Sequence, residues 1–415
     1  MSHEWIHRDP LDLLTHKRFD VVIKYLYAKN QHSRFYKSMY REHLQVWNNF
    51  SEKEPPKHGF PEFDRAFKSI IGNPAATPPI PVNANGDIPN GAHRLAAALH
   101  LQRPIKTRDA DSDEQYPIVA DHNLFERKDL PKYMMGRAAV EYAKLKPNTH
   151  VICLFPIAHT KYWRVLRIID EYVNVFYKSQ ELLNRTGQVS LMKEIYLNEG
   201  WVSEAGIQKK SDQCFGGDNV VSFLLVDAEN LETVKEMKQK IREQFDVGNH
   251  SVRISDWHHD AVRIAKTVFN ENSIHFLNNR KYTEFANHTK LLSEMEPDDS
   301  KVISGSAVLS LYGLRDCKDI DLVYDTNEPP ADAHNQYIGT HYGKLTLDDI
   351  MNDPRNYLYY QGFKYASLDI TEAMKKSRNE PKDIKDINLI KQIGRWGPNE
   401  KPNIPSMGRR ITTRL

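Results

Sequence analysis

The chain has 415 residues, 40% hydrophobic and 27% charged, with 57 Lys+Arg against 55 Asp+Glu and a formal net charge of +2. That near-balance excludes a histone-like polycation and an acidic disordered chain, and the apolar content is enough to bury real cores. With a mean hydropathy of −0.64 and no run of about 18 apolar residues, no membrane span is expected.

At on the order of 150 residues per domain, the length suggests two or three domains. Met1-Ser-His-Glu-Trp5 lacks the charged and apolar regions of a signal peptide. The three cysteines, Cys153, Cys214 and Cys317, are far apart and read as buried thiols in a reducing, cytoplasmic setting. There is no internal repeat. To about Ile71 the apolar residues recur at helical spacing: Leu11, Leu14, Phe19, Val22, Ile23 and Leu26, then Tyr36, Tyr40, Leu44 and Trp47. Residues 74–81 carry four prolines and no charge, which predicts an extended connector. A short strand at 80–83, a turn at Asn85-Gly86-Asp87 and a helix from Ala92 to Leu101 follow, and a further helix is expected near 133–145. Residues 150–155 read as a buried strand ended by Pro156, and 172–177 alternate like a second. Helices are expected over 188–197 and 231–245 with an apolar strand at 220–226 between them, an α/β or α+β unit. Residues 278–300 are polar and hold one helix. The fold class is therefore a multidomain α/β and α+β chain, divided as 1–147, 148–285, 286–392 and a Pro- and Arg-containing tail, 393–415.

The first chemical signal is Gly91-Ala-His-Arg94, between a strand-turn and an alanine-rich helix. A helix N-terminus presents unpaired N–H groups and the positive end of its dipole, Arg94 adds a planar donor, and Gly91 lets a ligand approach the backbone. A plain helix start with Arg94 on a surface carboxylate is the simpler alternative. Over about residues 75–105 this stretch resembles the ParB/sulfiredoxin superfamily, in which a Gly-x-x-Arg element grips nucleotide phosphates. The resemblance implies a ParB/sulfiredoxin-like α+β domain that binds a nucleoside triphosphate through Gly91, His93 and Arg94. Alanine and histidine stand where sulfiredoxins carry cysteine. Kinase-like members have an aspartate before the glycine and this chain has Asn90, so a general base would come from another carboxylate: Asp87, Glu42, Glu52 or Glu54.

In the middle unit, Lys235, Lys238, Lys240 and Arg242 precede Asn249-His-Ser-Val-Arg-Ile-Ser-Asp256. This loosely resembles the C-terminal half of nucleoside diphosphate kinases. Arg253 stands at the position of that family's phosphorylated histidine, and an arginine forms no phosphohistidine, so the resemblance implies a binding or scaffold domain. His250, His258 and His259 lack the i, i+4 spacing of a helical metal pair and read as solvated or capping, with Ser255 or Asp256 as a helix cap.

The C-terminal unit opens with Val302-Ile-Ser-Gly-Ser306 running from strand to helix, then Lys318-Asp-Ile-Asp-Leu-Val-Tyr324. Read as a strand, the second stretch projects Asp319 and Asp321 from one face. Two such carboxylates repel unless a divalent cation sits between them, and Mg²⁺ with substrate phosphates is the natural partner. Gly305-Ser306 with Asp319-x-Asp321 resembles the DNA polymerase beta-like nucleotidyltransferase superfamily over about residues 300–392. That resemblance implies nucleotide binding at Gly305 and Ser306 and a metal on Asp319 and Asp321. The third carboxylate usual in active members is missing from the strand expected at 336–341, with Asp332 and Asp369 as substitutes.

Together these signals imply an Mg²⁺-dependent phosphotransfer enzyme, a small-molecule kinase and/or nucleotidyltransferase. Its partners would be a nucleoside triphosphate and a small alcohol, amino acid or sugar precursor, in the service of a cell-surface glycan. The alternatives are a ParB-like, nucleotide-dependent DNA-binding module, disfavoured by the neutral charge balance and the lack of a helix-turn-helix, and a nucleotidyltransferase toxin or defence component.

Overall fold

The computed structural model describes residues 5–50, 60–112, 119–197, 199–324 and 339–394. It is a mixed helical and sheet protein whose described residues contain three small sheets. Among them, no helix is long and apolar enough to cross a membrane.

The first sheet joins β1 (Ile6–Arg8), β2 (Ile80–Val82) and β3 (Ile105–Asp109) in the order β1-β3-β2. β2 and β3 run parallel, so the helix Ala92–Leu101 is the crossover between them. The helices Phe19–Lys29 and Arg34–Phe50 form the bulk of this region, with Phe19, Val22, Leu26, Tyr40 and Leu44 buried as their spacing demands.

The central sheet contains β4 (Thr149–Leu154), β5 (Asn174–Leu182), β6 (Val220–Asp227) and β7 (Val252–Ile254), in the order β5-β6-β4-β7. Every neighbouring pair is antiparallel. Of the two arrangements the sequence pattern allowed, this is the α+β one. Helix Tyr162–Tyr172 links β4 to β5, and helix Leu231–Arg242 links β6 to β7, giving the split βαβ topology of ferredoxin-like sheets. Helices Arg185–Ile195 and Glu204–Phe215 are inserted between β5 and β6.

β4 reads as an unbroken apolar run because both of its faces are covered. Ile152 and Leu154 pack with Leu224, Val226, Val165, Ile169, Val234 and Met237 beneath the two linking helices. Val151 and Cys153 face the other way, into a core shared with the N- and C-terminal regions.

The third sheet is β10-β11-β8-β9, from β8 (Lys301–Ser304), β9 (Asp321–Tyr324), β10 (Tyr357–Tyr360) and β11 (Phe363–Ala366). β9 is antiparallel to β8 and β11 parallel to it. Gln361 and Gly362 both take positive φ in the two-residue turn between β10 and β11, as a type I′ hairpin requires. Helices Leu368–Arg378 and Pro381–Ile390 complete the unit. They are locked by buried ion pairs: Lys375 to Asp386 at 2.6 Å, and Arg315 to the same carboxylate through Nε at 2.6 Å and Nη2 at 2.7 Å.

Candidate functional site

β8 delivers the chain into Gly305, whose φ of 64° and ψ of −134° only glycine adopts without strain, and helix Ser306–Leu311 starts immediately after. The β8–β9 register sets Ser304 opposite Asp321. A Cβ on Gly305 would stand 2.9 Å from Asp321 Cγ and overlap its Oδ2. The bare Cα therefore lets this carboxylate lie against the turn, and the structure brings Gly305, Ser306 and Asp321 together. The Ser304 hydroxyl is 3.0 Å from that of Tyr342, on a short 3₁₀ turn. Arg378, anchored on Asp383 at 2.9 and 2.6 Å, has its pKa raised chiefly by that hydrogen bond, and the Asp321 charge adds to the rise.

Asp319 is placed differently. β9 begins at Asp321 rather than at Lys318, so Asp319 lies in the bend ahead of the strand and strand alternation does not reach it. It lines a cavity of about 540 Å³ with Asp298, Lys301, Lys318, Ile320 and Leu322. The strand anticipated at 336–341 differs too: Gly339–Tyr342 is the 3₁₀ turn, and 336–338, like Asp332, lie outside the described residues. Asp369 is exposed on the first turn of Leu368–Arg378. Among the described residues, no group of three or more His, Cys, Asp or Glu could hold a metal ion.

At the other end of the chain, the turn after β2 is built by Asn83, whose side chain accepts from Asn85 N at 3.0 Å and Asp87 N at 2.9 Å. Asp87 pairs with Lys17 at 2.7 Å. Gly91 has φ 108°, and a Cβ there would meet Ile80 Cγ1 at 2.9 Å, so helix–strand packing alone requires glycine. No side chain caps the helix Ala92–Leu101. Arg94 Nη1 donates to the carbonyls of Pro78 and Pro79, both at 2.8 Å, and so pins the proline connector. Arg94 also lines a cavity of about 200 Å³ with His7, Arg103 and Lys106.

His93 turns inward instead. Its Nε2 is 2.7 Å from the Tyr40 hydroxyl, and its ring stacks on Phe63. Burial, helped by the Lys24 charge, pushes its pKa down to about 3, so the imidazole is neutral. Behind it lies a buried charged chain that the sequence reading missed. Arg18 and Lys24 both hold Asp20, at 2.9 and 2.7 Å, and Lys24 reaches His43 at 3.3 Å. Burial alone would raise the Asp20 carboxyl, but the two cations outweigh it and hold it below its usual range. Arg18 also donates to the Ile88 carbonyl at 2.7 Å, which ties the chain to the turn before Gly91. Only an unusual run of polar residues in an apolar helix, Arg18, Asp20 and Lys24, signalled it. Glu42 lies on the neighbouring helix, where its charge acts on Tyr133, while Glu52 and Glu54 are outside the described residues.

In the central unit, Arg253 on β7 pairs with Asp256 at 2.9 Å and Glu199 at 3.2 Å, and its guanidinium lies 5.2 Å from the Tyr196 ring centre. Lys238 also reaches Asp256, at 3.3 Å. The helix cap falls on Trp257, because Ser255 Oγ accepts from Val151 N and Asp256 is held by these cations. The three histidines part company: His258 Nε2 meets the Ala143 carbonyl at 2.7 Å, His250 Nδ1 meets Lys210 at 3.1 Å, and the His259 side chain is exposed.

No family model matches the chain, and no curated protein matches it. Among solved structures, a crystal structure of the Aquifex aeolicus nucleoside diphosphate kinase is similar over 28% of this chain and 89% of that one, at 18% identity and a TM-score of 0.21.

Proposed function

We propose that the chain is an Mg²⁺-dependent phosphotransfer enzyme whose transfer site is the Gly305–Ser306 turn with Asp321. The observation that supports this reading best is the carboxylate of Asp321 lying against the bare Cα of Gly305 at the strand-to-helix turn. The donor set suits Mg²⁺, which keeps several waters and takes only one or two protein carboxylates beside substrate phosphates. When bound there, the ion would neutralise phosphate charge as it is transferred.

The protein's own contribution is positioning. Gly305 leaves room for the Asp321 carboxylate beside the backbone, Ser306 offers a hydroxyl to a phosphate oxygen, and Asp321 is held in register by β8. The reaction class is nucleotidyl or phosphoryl transfer to a small alcohol, amino acid or sugar precursor. Arg94, on the wall of its own cavity, is a second nucleotide-contacting group in the N-terminal region, while His93 stays buried against Tyr40, and the central unit serves binding or assembly.

The test is thermal shift and isothermal titration of the full chain with the four nucleoside triphosphates, with and without Mg²⁺. Stabilisation that needs both nucleotide and Mg²⁺, and is lost in Asp321→Asn, supports the reading. Equal stabilisation of the Asp321→Asn variant rejects it.

A further inference from the structure

Helix Tyr162–Tyr172, which links β4 to β5, buries Val165 and Ile169 against the central sheet. Its other side carries Trp163, Arg164 and Arg167, all exposed. Trp163 is the most exposed large apolar side chain among the described residues, at 63%. No ring of the described residues stacks on it; it meets Tyr162 edge-on, at 5.8 Å between centroids. Among the described residues, neither the Arg164 nor the Arg167 guanidinium forms a hydrogen bond or ion pair. Lys161 lies beside them, its Nζ donating to the Gln244 carbonyl at 2.6 Å and standing 5.3 Å from the Phe245 ring centre. The Gln244 side chain in turn donates to the carbonyl of Lys240, which brings the exposed Lys240, from the end of helix Leu231–Arg242, to the same side.

The whole chain is near charge balance, yet residues 160–169 hold Lys161, Arg164 and Arg167 and no acid. The acids of this helix, Asp170 and Glu171, come at its far end, and Glu243 on the neighbouring segment is engaged by Gln239 at 3.2 Å. That order opposes the helix dipole, which favours acids in the first turn and cations in the last. The cations are therefore not placed to stabilise the helix, and an indole left in water packs against nothing. Arg167 stands one helical turn from both Trp163 and Arg164, about 5–6 Å between Cβ atoms, so ring and charges form one face.

We propose that this face binds single-stranded nucleic acid: an unpaired base stacks on Trp163, and the flanking phosphates accept from Arg164 and Arg167. Lys161 and Lys240 add to the local field. The unpaired arginines select a polyanion, and the open ring selects one with bases to stack. A duplex offers no such base, because its faces are stacked inside. An anionic membrane fits less well, since the other apolar side chains of the helix pack on the core and a single ring is left to enter lipid. The inference gives the central unit a ligand and stands whether or not the Gly305 turn performs phosphotransfer.

The experiment is fluorescence anisotropy of labelled oligouridylate, oligothymidylate and a mixed-sequence duplex, each about 15 nucleotides long, titrated with the full chain in about 50 and about 200 mM salt. The single strands should bind about tenfold or more tightly than the duplex, and the preferred strand tells RNA from DNA. Each phosphate neutralised on a single strand contributes about 0.7 to the salt slope, so Arg164→Ala/Arg167→Ala should lower the slope by about 1.4. Trp163→Ala should weaken binding by about tenfold or more and leave the slope unchanged, and Trp163→Phe should restore most of the loss. All three positions are exposed, so circular dichroism and Tm should not change. Binding as tight in Trp163→Ala as in wild type, a duplex bound as tightly as the single strands, or no binding at about 100 µM protein in the lower salt would each overturn the proposal. So would binding to phosphatidylserine vesicles without binding to either single strand.

Discussion

Gly305→Ala has a cost that separates into two parts. The φ of 64° with ψ of −134° is a region essentially closed to residues with a Cβ, and holding alanine there costs about 1–3 kcal/mol. The new methyl would also collide with Asp321, 2.9 Å from Cγ and closer to Oδ2, an overpacking of about another 1–3 kcal/mol. The single variant should therefore lose roughly 2–6 kcal/mol. In Gly305→Ala/Asp321→Ala the clash with the carboxylate disappears, leaving the backbone strain and a tight 3.2 Å approach of the two Cβ atoms. The double-mutant cycle should give a coupling energy of about 1–3 kcal/mol, with Asp321→Ala partly rescuing Gly305→Ala. Urea midpoints of the four proteins, followed by hydrogen exchange in β8 and β9 to localise the effect, read this directly. Additivity within about 0.5 kcal/mol would mean that the carboxylate does not lie against this turn, and the site geometry would be wrong.

Three further outcomes concern Lys364, His93 and Arg94. Lys364 is buried over the Tyr357 ring at 4.2 Å, and desolvation pushes its pKa down to about 7 from an ordinary 10.5. The unfolded chain then binds the extra proton between about pH 7 and 10.5, so stability should rise with pH in that window, and Lys364→Met should flatten the rise by up to about 1.4 kcal/mol per pH unit; identical pH profiles refute this. His93, pushed down to about 3, must charge when the protein unfolds in acid. Its contribution is fully present above about pH 6.5 and is lost as the pH falls below that, so His93→Phe should lose roughly 2–3 kcal/mol less than wild type between pH 6.5 and 4.5, and equal losses count against a neutral buried His93. Arg94→Ala removes both bonds to the Pro78 and Pro79 carbonyls, and should cost about 1–3 kcal/mol and raise amide exchange at residues 75–77; unchanged protection there refutes the pinning role.

The parts of this fold that were legible in the sequence are those set by local chemistry. The apolar run of β4, the Asn83-to-Asp87 turn and the two strand–glycine–helix junctions all follow from residues adjacent in sequence, whereas the connector expected to be extended over 74–81 opens with a 3₁₀ turn at Pro74–Ala76. The antiparallel order of the central sheet was not legible, because it depends on which distant strands pair, and helix–strand alternation fits parallel and antiparallel answers alike. The relation of Asp319 to Asp321 depended on where β9 begins, and boundaries are the weakest part of a periodicity argument. Gly91 illustrates a subtler gap: the sequence marks a glycine before a helix, but only the packing shows that Ile80 demands it. The His93–Tyr40 contact, 53 residues apart, carries no local signature.

The central claim is best tested by isothermal titration of Mg²⁺-nucleoside triphosphate into wild type and Asp321→Asn, paired with assay of pyrophosphate or diphosphate release. The account requires Mg²⁺-dependent binding and turnover in wild type, with both reduced by about tenfold or more in the variant. Binding and turnover that persist unchanged without the Asp321 charge would contradict it.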